Sequence, residues 1–375
     1  VPFTARIKDA RITVHIYRKN VHSLKDFLFT ILVAACGGFV LSLVNAPLPW
    51  TLGPILAVSL TSLILKRRLG WPLLIRNIAL IPLGYSMGRP FTVETGQAIL
   101  SQLPFMLLAT CVTISAGIFS AWLMFRHTKI NFTSCLLGCV PGGLSQMVIL
   151  AAEMKEADLT AVTIMQTMRM LSVVFVIPFL AIHVLPAANS AAHAVTMEPT
   201  GSIPAFALVA IAGAVIGKRI KLPTATLLGP LLFTAIFIVA SGDTAPVIPL
   251  HYLNVAQICV GSYIGSSIDL RKIKEYHGMG SVLIGSVMLV LAISMSMGLL
   301  LSVLTPSDIA TTFLSTAPGG LAEMGITALV VGADSSTMTA YQLTRLLFIM
   351  LCYPAIVRLI LSHYRKLSRQ KDQLS

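Results

Sequence analysis

Arg169 and Arg345 each stand deep inside apolar sequence, where a guanidinium is costly. Placing an arginine near the centre of a membrane helix costs on the order of 3 kcal/mol even on a lenient insertion scale. Something must offset that cost. It could be a bound anion, or backbone carbonyls or a carboxylate that the arginine holds in place. The residue types leave both readings open, and one side chain could serve both. Gln166 and Gln342 lie one turn before the arginines on the same helical face, where they could orient them or line a path. Glu323 is the carboxylate nearest to this chemistry, and Gln146 holds its counterpart position. A carboxylate at a helix break can bind a proton or a cation. The plainer alternative is an internal salt bridge to Arg345 or Arg169.

These side chains accompany two copies of one interruption, Pro141-Gly142-Gly143 and Pro318-Gly319-Gly320. Leu144-Ser145-Gln146-Met147 follows the first copy and Leu321-Ala322-Glu323-Met324 the second. Glycine beside proline breaks a helix, and a break at membrane depth is tolerated only where protein or a water-filled cavity supplies partners. The helix resuming after each break would point free N–H groups into the protein, an arrangement that attracts anions. Ser145 adds a hydroxyl to the first break and Ala322 adds none to the second, so the two sites should be chemically unequal. Close helix packing alone is the competing explanation. Paired interruptions in two halves of a chain point instead to a transporter binding site.

The halves are a duplication. Pro47 with Leu52-Gly53-Pro54 matches Pro223 with Leu228-Gly229-Pro230 at an offset of 176 residues. Gly84-x-x-x-Gly88 matches Gly261-x-x-x-Gly265 at 177, as do the Pro-Gly-Gly elements. Ala157-Asp158, Gln166-x-x-Arg169 and Pro178 match Ala333-Asp334, Gln342-x-x-Arg345 and Pro354 at 176. The copies span about 26–188 and 203–363, joined by 189–202 and flanked by basic segments 1–25 and 364–375. Within them, the paired glycines let helices approach closely. Asp158 and Asp334 read as N-caps, and Arg76 as a side chain snorkelling to the interface.

Composition decides the class. With 56% hydrophobic and 11% charged residues, the chain is an all-α polytopic membrane protein. The net charge of +13 is not a nucleic-acid footprint. The basic residues sit in short clusters between apolar segments, as the positive-inside rule expects, so membrane lipid is the surface they meet. Six cysteines in apolar segments and eight histidines at or beyond segment ends show no ligand spacing. No metal, no cofactor and no enzymatic activity are expected.

Apolar segments fall at about 27–45, 51–66, 71–88, 98–126, 132–153 and 159–187 in the first copy. If the fifth, broken by Pro-Gly-Gly, enters and leaves on one side, each copy has about five spans and the second is inverted. All basic clusters then face the cytoplasm, as do both termini, and the linker and Asp243 to His251 face outside. The expected fold is two inverted repeats of about five transmembrane helices, each with a Pro-Gly-Gly re-entrant hairpin. A broken helix that crosses the membrane is the second choice. Trp71 and Trp122 lie beside basic clusters, where an aromatic belt would put them.

The Leu-Gly-Pro, Pro-Gly-Gly-Leu and Gln-x-x-Arg elements, in this order and duplicated, resemble the AbrB-duplication family of bacterial membrane proteins. The resemblance covers nearly the whole chain after residue 25 and implies a bacterial inner membrane. The basic stretch Arg6 to Lys25 departs from the family pattern, which begins close to the first span. Family members carry two labels, ammonia monooxygenase and AbrB-type regulator of gene expression. The residues fit neither as a mechanism: there is no ligand cluster and no DNA-binding module. They fit a transporter or exporter of a small, anionic solute, bound near the midplane by the Pro-Gly-Gly segments, Ser145, Gln146, the Gln-x-x-Arg pairs and Glu323. A regulator or sensor acting through a partner is the alternative. Homo-oligomerisation is left open.

Overall fold

The computed structural model describes residues 24–44, 46, 48–67, 69–154, 156–185, 202–222, 224–268 and 280–374. Residues 1–23, with most of the basic stretch Arg6 to Lys25, lie outside the described residues. So do the linker residues 189–201, the cluster Arg271 to Lys274 and the side chains of Arg365 to Lys371. Sixteen helices and no strand occur among the described residues. In the first copy they are α1 Leu24–Leu43, α2 Pro49–Ile64, α3 Leu73–Gly88, α4 Val93–Ser101, α5 Leu103–His127, α6 Phe132–Cys139, α7 Leu144–Glu153 and α8 Leu159–His183. In the second they are α9 Ile203–Arg219, α10 Ala225–Ser241, α11 Leu250–Ser267, α12 Gly280–Leu304, α13 Ile309–Thr316, α14 Leu321–Val331, α15 Ser335–Leu351 and α16 Tyr353–Leu374.

Among the described residues, four stretches are long and apolar enough to cross a membrane: Asp26–Leu43, Leu103–His127, Leu159–His183 and Gly280–Leu304. A fifth is the pair Ser335–Leu351 and Tyr353–Ser362, bent by 45°. These helices mark a multi-pass membrane protein. The expected segment 98–126 divides at Gln102. A Thr92–Thr95 capping box opens α4, and Pro104 sits in the first turn of α5, where its missing N–H costs nothing. The equivalent prolines behave differently: Pro178 is inside the continuous α8, whereas Pro354 follows the bend at Cys352.

The chain divides into two compact units. The first is drawn from Val1–Pro82 and Ile248–Arg271. There α1 packs on α2 where Gly37 and Gly53 face each other, and a Cβ on either would strike the other's backbone. From the second copy, α11 lies on α2, with Gly261 against the Thr51 carbonyl and Gly265 against that of Ile55. Small residues permit this approach, and polar groups fix it. Thr51 donates to Gln257 Oε1 at 3.2 Å and Ser59 to the Gly265 carbonyl at 3.3 Å. Arg76 stacks over Tyr263, 5.1 Å from its ring centre.

The second unit holds Leu83–Val247 and Lys272–Ser375. Here α9 and α10 repeat the first pairing through Gly213 and Gly229, and the end of α3 lies on α10 through Gly84 and Gly88 against Leu227 and Leu231. Thus the third helix of each copy packs on the second helix of the other. Around α6, α7, α8 and the α15–α16 bend, Leu136, Leu137, Val140, Met165 and Tyr353 form a buried apolar cluster. A smaller cluster joins Met106, Ala109, Met297, Leu301 and Tyr341. This packing carries both Pro-Gly-Gly segments.

Candidate functional site: two clamped helix breaks

Each Pro-Gly-Gly ends one short helix and begins another, α6 to α7 and α13 to α14. Proline cannot continue the helical ladder, so the chain turns tightly. The Gly142 N–H donates to the Val140 carbonyl and that of Gly319 to Ala317, both at 2.8 Å. These i→i+2 bonds bracket Pro141 and Pro318 as inverse γ-turns. Met147 and Met324 fold over Gly142 and Gly319 so closely that a Cβ there would collide with the thioether chain.

A break strands the last carbonyls of the preceding helix, and the Gln-x-x-Arg pairs take them up. Gln166 Nε2 donates to Leu137 O at 2.8 Å and to Val140 O at 3.0 Å. Arg169 Nη1 donates to Val140 O at 2.9 Å, and Nη2 to Gly142 O at 3.0 Å. In the second copy Gln342 Nε2 reaches Leu314 O at 2.8 Å and Ala317 O at 3.1 Å. Arg345 Nη1 reaches Ala317 O at 2.6 Å, and Nη2 reaches Gly319 O at 2.9 Å. All four side chains are buried. Of the two readings left open for the arginines, the hold on neighbouring carbonyls is therefore present in both copies. Carbonyl dipoles stabilise a guanidinium without neutralising it, so two buried positive centres remain.

The start of each following helix is fixed in the same way. Asp158 Oδ1 caps α8, accepting from the N–H groups of Thr160 at 2.9 Å and Ala161 at 3.2 Å. Asp334 Oδ1 caps α15 through Ser336 at 2.9 Å and Thr337 at 3.4 Å. Both aspartates are N-caps, as the sequence leads one to expect. A brace that sequence reasoning missed ties them back to the short helices. The Asp158 N–H donates to Ser134 Oγ at 2.7 Å and the Asp334 N–H to Thr311 Oγ1 at 2.8 Å. The signal was available: a hydroxyl recurs at the matching register of both copies.

Glu323 is half-buried in the first turn of α14, folded back against Gly320, where a Cβ would meet its carboxylate. The side chains of Ser145 and Gln146 lie outside the described residues, although the backbone there is helical. The helical ladders begin with Met147 N–H to Gly143 O and Met324 N–H to Gly320 O, both at 3.0 Å. The amides before them have no acceptor within their own helices. The structure thus gathers Pro141, Gly142, Gly143, Gln166 and Arg169 at one break, and Pro318, Gly319, Gly320, Gln342 and Arg345 at the other. A small cavity beside the first is lined by Arg169, Cys139 and Ser286 among others.

Comparison with known proteins gives the family. The model of a family described as "Transition state regulatory protein AbrB" matches residues 50–361. An uncharacterised protein of Bacillus subtilis (strain 168), YhjN, is 27% identical over 96% of this chain and 99% of its own length. A protein of Escherichia coli (strain K12), named "Putative regulator AbrB", is 29% identical over 71% of this chain and 76% of its own. No solved structure matches. Since the family model covers most of the chain, this protein belongs to the AbrB family.

Proposed function

We propose that the protein is a secondary transporter or exporter of a small anionic solute in the inner membrane, bound where the two broken segments approach the midplane. The observation that carries the reading is the pair of equivalently clamped breaks, each with a buried arginine. A structural protein would need neither a helix interruption in each copy nor a buried arginine at each. Transporters use both, because unwound backbone and helix N-termini bind solute while the flanking helices seal the path. In this reading each copy contributes five spans and one re-entrant hairpin. The second copy is inverted, and both termini are cytoplasmic.

The test is uptake or release of radiolabelled small organic and inorganic anions by vesicles holding the purified full chain. Counterflow should appear with wild type and fall at least about tenfold in Glu323→Gln or Arg169→Lys. Wild-type protein that is folded but moves none of them would defeat the reading. Orientation is tested separately in cells with a cysteine-free chain carrying Val247→Cys or Lys129→Cys. An impermeant maleimide should label position 247 from outside and position 129 only after permeabilisation. Labelling of both from one side would remove the inversion.

A second reading, a membrane regulator acting through a partner, is favoured by the family description and by the name of the Escherichia coli relative. It takes precedence if the protein moves no solute yet co-purifies with a regulatory partner.

A further inference from the structure

The two clamps use the same atoms but do not close alike. In the second, Gln342 Oε1 accepts a hydrogen bond from Arg345 Nη2, so that glutamine and arginine satisfy each other. In the first, Gln166 Oε1 and Arg169 Nε are both buried without a partner among the described residues. Arg169 is only 8% exposed. An unmet buried polar group costs about 1–3 kcal/mol. Two of them on one helical turn favour any ligand or water that can complete them.

Arg169 also lines the cavity between α6, α8 and α12. The rest of the lining is Gly138, Met165, Leu283, Val287 and Val290, with Ser286 and Cys139. A mostly apolar lining with one cationic side chain is a setting for a compact group with a single negative charge. It would not suit a sulfate or a phosphate, whose charge needs several donors. The cavity as it stands has room for about one water-sized group, so a halide or a carboxylate head enters it only if the α12 side chains move outward.

We infer that this cavity is the subsite for the charged head of the solute, so that the first copy reads the anion through Arg169 while Arg345 only holds its break. The inference rests on the transporter reading and narrows it to a monovalent anion, carboxylate-headed or halide. The spare Nε–H of Arg169 donates to the head, and the apolar wall excludes more strongly hydrated ions.

The native thiol reports on the site. In full-length protein in lipid nanodiscs, Cys36, Cys111, Cys135, Cys259 and Cys352 are changed to alanine, leaving Cys139. Its modification by methyl methanethiosulfonate is timed in acetate, in chloride, and in sulfate as the excluded control. Acetate or chloride at ten times its dissociation constant should slow the reaction about tenfold, and sulfate should not. Protection by acetate alone marks a carboxylate head, and protection by chloride alone marks a halide; either supports the subsite. In a parallel melt of protein with all six cysteines, the protecting anion should raise the Tm of wild type and of Arg345→Lys. It should not raise that of Val290→Phe, in which the clamp is intact and the cavity filled. Equal rates in all three salts would mean a buried water only and would overturn the inference, as would undiminished anion stabilisation of Val290→Phe. Uptake by vesicles separates the two readings. If Val290→Phe still transports at the wild-type rate, the subsite falls and the transporter stands. If wild type transports nothing while acetate protects Cys139, the site stands and transport falls.

Discussion

At the first break Gln166 and Arg169 hold the carbonyls of Leu137, Val140 and Gly142, and each keeps one polar atom unused. At the second, Gln342 and Arg345 hold Leu314, Ala317 and Gly319 and bond each other as well. The neighbouring residues follow the same division. Cys135, Gly138 and Cys139 of α6 correspond to Thr312, Ser315 and Thr316 of α13. Those hydroxyls are spent on backbone: Ser315 donates to Thr311 O at 2.7 Å and Thr316 to Ser294 O at 2.8 Å. At the second break glutamine and arginine bond each other, whereas at the first one acceptor, Gln166 Oε1, and one donor, Arg169 Nε, stay unmet among the described residues. The two copies of one device have therefore diverged in how their clamps close.

The largest expected effect breaks this comparison at the arginines. Arg345→Ala would leave the Gly319 carbonyl and the oxygen of Gln342 without their donor, at roughly 1–3 kcal/mol for each buried group, while the Ala317 carbonyl keeps Gln342 and the Gly319 N–H. Arg169→Ala strips the Gly142 carbonyl alone, since that of Val140 keeps Gln166 and the Gly142 N–H, and it has no glutamine bond to lose. The second-copy variant should therefore be the less stable by about 1–3 kcal/mol. The check is the monodisperse fraction after detergent extraction, together with the unfolding midpoint. Equal losses would show that the clamps are energetically the same and that the missing Gln166–Arg169 bond has no consequence.

What was legible in the sequence follows the duplication. The offsets near 176 residues located both breaks and both arginines, because identical residues at matching register must serve matching geometry. The glycine pairs were read as packing surfaces, and they are: Gly261 and Gly265 meet α2 at Thr51 and Ile55. What could not be read was the partner of each pair. That α11 packs on α2, and the end of α3 on α10, exchanges elements between copies, and a repeat cannot reveal this because either pairing gives the same pattern. Gln102 ending α4 was equally hidden, since apolar residues continue on both sides and only the Thr92–Thr95 box and Pro104 separate two helices. The carbonyl partners of Arg169 stayed ambiguous for a simpler reason. Backbone acceptors belong to every residue and leave no mark in the composition.

A smaller effect sharpens the comparison at the helix starts. Asp158 caps α8 with two backbone bonds. Asp334 makes the equivalent two on α15 and also accepts from the Thr337 hydroxyl at 2.6 Å and from the Ser336 hydroxyl. Removing an N-cap costs about 0.5–2 kcal/mol. Asp158→Ala should fall near the lower half of that range and Asp334→Ala near its top, because the alanine also strands two hydroxyls. Asparagine separates the contributions. It keeps an oxygen for the backbone N–H groups, so Asp158→Asn should recover most of the loss. Asp334→Asn should recover less, since its amide nitrogen cannot accept from Thr337. Unfolding midpoints of the four variants in one detergent decide the matter. If asparagine rescues both positions equally, the added hydroxyl bonds contribute nothing, and the greater closure of the second copy rests on Gln342 and Arg345 alone.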